Sequence, residues 1–118
     1  MRLDPIDPTA AEPPFEQLRR QIASRASGGE LPAGTRLPTV RGLAAEVGLA
    51  VNTVARVYRE LEADGVIVTE GRRGTFVSPT AAAGTDVQAA ATAYVEAVRR
   101  AGLGVTEAQR LVQDHWPR

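Results

Sequence analysis

A chain of 118 residues with zero formal net charge and no cysteine is long enough for one compact domain plus a small appendage. It has no disulfide framework, thiolate metal site or cysteine nucleophile. No apolar run approaches membrane-spanning length, and residues 1–14 carry Asp4, Asp7, Glu12 and prolines rather than a signal-peptide core, so the expectation is a soluble, cytoplasmic protein with no membrane partner.

Residues 2–6 read as a short extended arm, followed by a proline-broken loop through Pro8. Pro13 and Pro14 then open a helix, since proline is tolerated in a first turn. Phe15, Leu18, Ile22 and Ala26 mark its buried face, and Gly28-Gly29 ends it. The segment 31–38, LPAGTRLP, is an extended connector whose Arg36-Leu37 can pair as a third strand with the hairpin that comes later.

Val40, Leu43, Ala44 and Val47 put a short helix over 40–47, with Thr39 as its N-cap and Gly48 as its stop. Val54, Val57, Tyr58 and Leu61 then recur at i, i+3, i+4 and i+7, one apolar stripe of a helix over 51–64. Its other side carries Asn52, Thr53, Arg56 and Arg59, types that reach base edges and phosphates. Gly65 follows where a left-handed C′ position wants it. Two helices across a tight turn, the second with a polar leading face, is helix-turn-helix geometry.

The β-branched run 66–68, the turn EGRRG at 70–74 and the run 75–77 make a hairpin with Arg72 and Arg73 at its tip. A hairpin directly after a recognition helix is the wing of a winged helix. Charge placement agrees weakly: residues 13–78 hold nine Arg against seven acids.

Residues 79–84 read as a small-residue linker. Two helices follow, over 86–101 and 107–116, each opened by a Thr-x-x-Gln capping box at Thr85–Gln88 and Thr106–Gln109. Gly102 and Gly104 let them fold back as an αα-hairpin. So short a pair needs further packing to be stable, on the winged helix, on another subunit or on both, and Tyr94, Val98, Leu111 and Trp116 are its candidate dimer-interface residues. The fold class is therefore mainly α with a small β-hairpin: a winged helix-turn-helix over 1–78 and a two-helix dimerisation or packing tail over 85–118.

PPFEQLRRQI and then GELPAGTRLPTVRGLAAEVGLAVNTVARVYRELEADGVIVTEGRRGTFV resemble the DNA-binding domain of GntR-type bacterial transcription regulators. The tail resembles that of the short YtrA-type subfamily, associated with transporter operons, in which it serves dimerisation. The resemblance implies a homodimeric repressor on an inverted repeat of double-stranded DNA. Carried over residue by residue, Arg41 holds backbone phosphate, Asn52 and Thr53 form the leading turn of the recognition helix, and Arg72, Arg73 and Gly74 form the wing tip. Ala50 stands where many members have a Ser cap. Val51 stands where many have Arg or Pro, and can instead touch a thymine methyl.

The expected DNA surface is Arg36, Thr39, Arg41, Val51, Asn52, Thr53, Arg56, Arg72, Arg73, Gly74 and Thr75. Arg59 is the weaker case, since Glu62 stands at i+3 to hold it in an ion pair. His115 is the single histidine and with no cysteine builds no usual metal site. No catalytic grouping, phosphate loop or paired carboxylates can be assembled, so neither enzymatic activity nor a cofactor is expected. The alternative reading is a winged helix used as a protein-interaction module. Roughly forty residues after the wing are too few for a separate ligand domain, so an unidentified small-molecule effector is expected to lodge between the tail helices and the winged helix or at the dimer interface.

Overall fold

The computed structural model describes residues 1–81 and 86–117. They form two compact units, Met1–Gly84 and Thr85–Arg118.

The first unit is a winged helix-turn-helix. Helix α1 spans Pro14–Ser27, with Pro13 at its N-cap and Pro in the first turn. Helix α2 spans Val40–Val47 and α3 spans Val51–Ala63. Strands β1 (Ile67–Thr69) and β2 (Thr75–Val77) follow, joined through a 3-10 turn at Gly71–Arg73. They pair antiparallel with Ile67 opposite Val77 and Thr69 opposite Thr75. The connector supplies the expected third element as a single antiparallel bridge, Arg36 to Phe76. Leu37 N–H donates to the Thr75 carbonyl and Val77 N–H to that of Thr35, each at 2.8 Å.

The apolar stripes meet in one core. Leu18 and Ile22 of α1, Leu43 of α2, Val54, Val57 and Leu61 of α3, and Val77 of β2 are completely enclosed. Removing such side chains from water is the main source of the unit's stability. Two turns depend on left-handed glycines. Gly48 (φ 72°) ends α2, and Gly65 (φ 77°) sends the chain from α3 into the wing, positions that side chains with a Cβ adopt at a cost.

The N-terminal arm is not a strand. It is laced onto α1 by two buried glutamines. Gln21 accepts from Asp4 N–H at 2.8 Å and donates to the Asp4 carbonyl at 3.1 Å. Gln17 accepts from Asp7 N–H at 2.9 Å and donates to the carbonyls of Asp7 and Glu12, both at 2.7 Å. Met1, Leu3 and Ile6 pack against the core along this arm. Arg25, four residues after Gln21, adds ion pairs to Asp4 and Glu30 at 3.5 and 3.7 Å.

The second unit holds α4 (Val87–Arg100) and α5 (Val105–His115). The Tyr94 hydroxyl donates to the Ala108 carbonyl at 2.8 Å and ties the two helices together. The capping boxes are corrected here. Asp86 caps α4, its carboxylate accepting from Ala89 N–H, while Thr85 lies outside the described residues. Helix α5 starts from Gly104 with no side-chain cap, so Thr106 already stands inside the first turn and its hydroxyl cannot cap it. The expected 79–84 linker also falls partly outside the described residues. No described helix is long and apolar enough to cross a membrane.

Candidate nucleic-acid interface

Helix α3 turns Val54, Val57, Tyr58 and Leu61 inward. With about 100° per residue, Asn52 and Arg59 then fall two turns apart near the middle of the opposite side, and both are exposed. Val51 is 44% exposed at the first turn. Thr53 is half-buried. The helix begins at Ala50 with no side chain accepting from its first N–H groups.

Arg56 departs from the expected placement. It lies about 60° from Arg59 around the helix, on the flank facing α1. Its guanidinium carbon sits 4.0 Å from the centre of the Phe15 ring, and its Nε is 3.6 Å from a Glu60 carboxylate oxygen. The anticipated Arg59–Glu62 pair is not formed. Glu62 instead accepts from the Thr69 hydroxyl at 3.4 Å. The two arginines have exchanged the parts their spacing suggested.

Thr39 spends its hydroxyl on the backbone, accepting from Gly42 N–H at 3.1 Å as the cap of α2. That fixes the turn from which Arg41 projects, exposed. On the wing, Arg73 reaches back to Glu70 at 3.4 Å. Arg36 lies against Gly74 at the wing tip. A Cβ built on Gly74 would stand 2.9 Å from the Arg36 Nε, and the glycine's backbone (φ 116°, ψ −164°) is itself one that residues with side chains avoid. Thr75 faces Thr69 across the hairpin, their hydroxyls 3.3 Å apart.

The arginines of this unit thus divide into two groups. Arg19, Arg20, Arg25, Arg56 and Arg73 are all in ion pairs. Among the described residues Arg2 on the N-terminal arm and Arg36, Arg41, Arg59 and Arg72 have none. Three of the paired ones, Arg19, Arg56 and Arg73, find their carboxylate three or four residues away on the chain.

In the tail, Val98 is buried and Tyr94 and Leu111 are half-buried. Val87, Val95, Leu103, Val105, Val112 and Trp116 are the large apolar groups left open, at 76, 50, 41, 71, 47 and 56% exposure. Tyr94, Leu111, Val112, His115 and Trp116 line a shallow groove of about 400 Å³. The His115 Nδ1 is 2.8 Å from the Leu111 carbonyl, in the last turn of α5.

The family described as bacterial regulatory proteins, gntR family, matches residues 14–77, from the start of α1 to the end of the wing. The chain belongs to the gntR family. It is similar to the HTH-type transcriptional regulator Rv1152 of Mycobacterium tuberculosis, 50% identical over 108 residues that cover 89% of this chain and 87% of that protein. It is also similar to the HTH-type transcriptional repressor YtrA of Bacillus subtilis, 40% identical over 76 residues, 64% of this chain and 58% of the relative. Among solved structures, YtrA from Sulfolobus acidocaldarius, a GntR-family transcription factor, superposes with a TM-score of 0.63 at 28% identity, covering 80% of this chain and 95% of that one. This gntR-family chain is a DNA-binding transcription regulator, and its relatives are regulators rather than enzymes.

Proposed function

We propose that this chain is a homodimeric repressor that reads an inverted-repeat operator. The observation that carries the reading is the division of the arginines: Arg36 on the connector, Arg41 on α2, Arg59 on α3 and Arg72 on the wing stand without an ion pair among the described residues, as does Arg2 on the arm. Unpaired guanidinium groups beside an open recognition helix suit a polyanion, since each phosphate they neutralise releases counterions. Asn52 is the direct reader, its amide matching the N6 and N7 edge of adenine, and Val51 is placed for a thymine methyl. Arg41 and Arg59 hold phosphates of the major-groove walls, and Arg72 enters the adjacent minor groove with Arg36 behind it. Thr39, Thr53, Gly74 and Thr75 shape these contacts through the backbone. Arg73 serves by balancing Glu70.

The tail supplies the second copy. Val87, Val95, Val112 and Trp116 form the apolar surface that pairs two chains, while Tyr94, Val98 and Leu111 hold the hairpin itself. A dimer sets two recognition helices about 34 Å apart, one turn of the double helix. That the Bacillus relative is a transcriptional repressor by name supports the direction of regulation. The groove beside Trp116 is where an effector of small apolar character would bind.

The test is a mobility-shift and anisotropy titration against the DNA upstream of the chain's own reading frame. Four phosphate contacts per subunit predict a log–log salt slope near roughly −7 for the dimer. A discrete complex resistant to random competitor DNA supports the reading. Binding that random DNA abolishes, or a slope near zero, overturns it in favour of a protein-interaction module.

A further inference from the structure

Arg56 looks like a lost DNA contact, yet its surroundings give it another part. Its guanidinium is stacked on Phe15 at 4.0 Å and paired with Glu60 at 3.6 Å, so both its face and its edge are engaged within the protein. Phe15 stands on rigid ground. It follows Pro13 and Pro14 in the first turn of α1, where the proline rings fix φ and leave the backbone little freedom. The contact continues down the same seam, where the Glu60 and Asp64 carboxylates of the α3 side act on Arg19 of α1, which is itself bonded to Glu16.

The opposite, leading end of α3 lacks any such restraint. Ala50 gives it no side-chain cap, so the first turn, with Val51, Asn52 and Thr53, is held by packing and by the backbone bonds of Thr53 and Val54 N–H to the Ala50 carbonyl. Arg56 is one turn further on, four residues after Asn52. A roll of the helix by about 10° would carry groups at the surface of its roughly 6 Å radius through about 1 Å. A displacement of that size breaks a bidentate hydrogen bond to a base, whose donor–acceptor range is about half an ångström wide.

We propose that Arg56 is a positioning residue, clamping the recognition helix to Phe15 so that Asn52 meets its base, and that Arg59 is the cation of this helix that touches phosphate. This rests on the operator-reading function proposed above. Cation and ring attract more strongly where water is partly excluded, and swinging Arg56 out to a phosphate would forfeit both the ring and Glu60. Arg59 gives up no ion pair by doing so, being unpaired among the described residues.

The experiment uses the full chain and a duplex selected by it from a random pool, with random-sequence DNA as the comparison, each titrated by anisotropy over a range of salt. Arg56→Gln and Phe15→Leu are each expected to lower the preference for the selected duplex by roughly fivefold, with the salt slope unchanged and with the double variant no worse than either single one. Arg56→Lys, which keeps a cation over the ring, restores most of the preference. Arg59→Gln reduces the slope by about 0.9 per subunit and weakens both duplexes alike. Arg56→Gln flattening the slope as Arg59→Gln does, or additive losses from Phe15→Leu and Arg56→Gln, overturns the proposal. A wild-type chain that prefers no duplex overturns the functional reading and the positioning role with it. In that event the Arg56 Nε–H resonance of the free protein tells the two failures apart. An upfield ring-current shift that disappears in Phe15→Leu shows that the clamp exists, and no such shift shows that it does not.

Discussion

The Tyr58 hydroxyl donates to the Pro38 carbonyl at 2.7 Å, fastening the middle of the recognition helix to the connector that leads into α2. Burial, with the Glu46 carboxylate adding to it, pushes this phenol up to about 12 from its ordinary 10.0. Above pH 10 an unfolded chain loses the proton while the native chain still holds it, so raising the pH favours unfolding. The stability due to Tyr58 is whole below pH 10 and drains away towards pH 12. Urea unfolding at pH 8, 10 and 11 should show this decline, and Tyr58→Phe should flatten it while costing about 1 kcal/mol at neutral pH.

Gln17 makes three hydrogen bonds to the backbone of the N-terminal segment. Gln17→Leu keeps most of the volume but leaves Asp7 and Glu12 without these partners. A loss of about 2–3 kcal/mol is expected, with amide exchange at Asp7 accelerating well before global unfolding. Unchanged protection at Asp7 would show that the arm is held by Met1, Leu3 and Ile6 alone.

Gly74→Ala meets two obstacles, a backbone at φ 116° and the Arg36 side chain 2.9 Å from the added carbon. Gly34→Ala meets only the first, since at φ 83° nothing lies within 4 Å of its added Cβ. Both should destabilise, by about 1–3 kcal/mol. Only Gly74→Ala should also weaken DNA binding, by displacing Arg36. Equal binding by the two variants would remove Arg36 from the interface.

Ala50 already has the extended backbone of an N-cap (φ −65°, ψ 146°) without a side chain to complete it. Ala50→Ser should raise stability by about 1 kcal/mol, measured as a higher urea midpoint at unchanged slope.

Trp116→Ala with Val112→Asp should convert a dimer to a monomer in sedimentation equilibrium while helical content survives, because the Tyr94–Ala108 bond is untouched. Operator affinity should fall as dimerisation is lost. A variant that remains dimeric would place the subunit contact elsewhere.

The winged helix was legible because its stripes are long and regular. Val54, Val57, Tyr58 and Leu61 keep helical spacing, and the glycines at 48 and 65 stand where the chain must turn left-handed. The arm was not, because its anchors are polar. Gln17 and Gln21 sit beside Leu18 and Ile22, and a polar residue flanking an apolar stripe reads as surface. The available signal was chemical: an uncharged amide carries both donor and acceptor, so it can be buried against backbone where a carboxylate or ammonium would be costly. The ion pair of α3 fell to Arg56 and Glu60 rather than to Arg59 and Glu62, and spacing along one helix says nothing of Phe15 on another, which seats the Arg56 guanidinium. At α5 the Thr106–Gln109 spacing fitted a cap, but Gly104 and Val105 had already begun the helix.

Strand β2 has β1 on one side and the Arg36 bridge on the other, so the outward edge of the hairpin belongs to β1, a strand of three residues. An edge so brief offers too little free backbone to template a strand from a neighbouring molecule. Aggregation of concentrated solutions by sheet extension is therefore blocked at the wing, and solubility engineering belongs on the uncovered valines and tryptophan of the C-terminal helices.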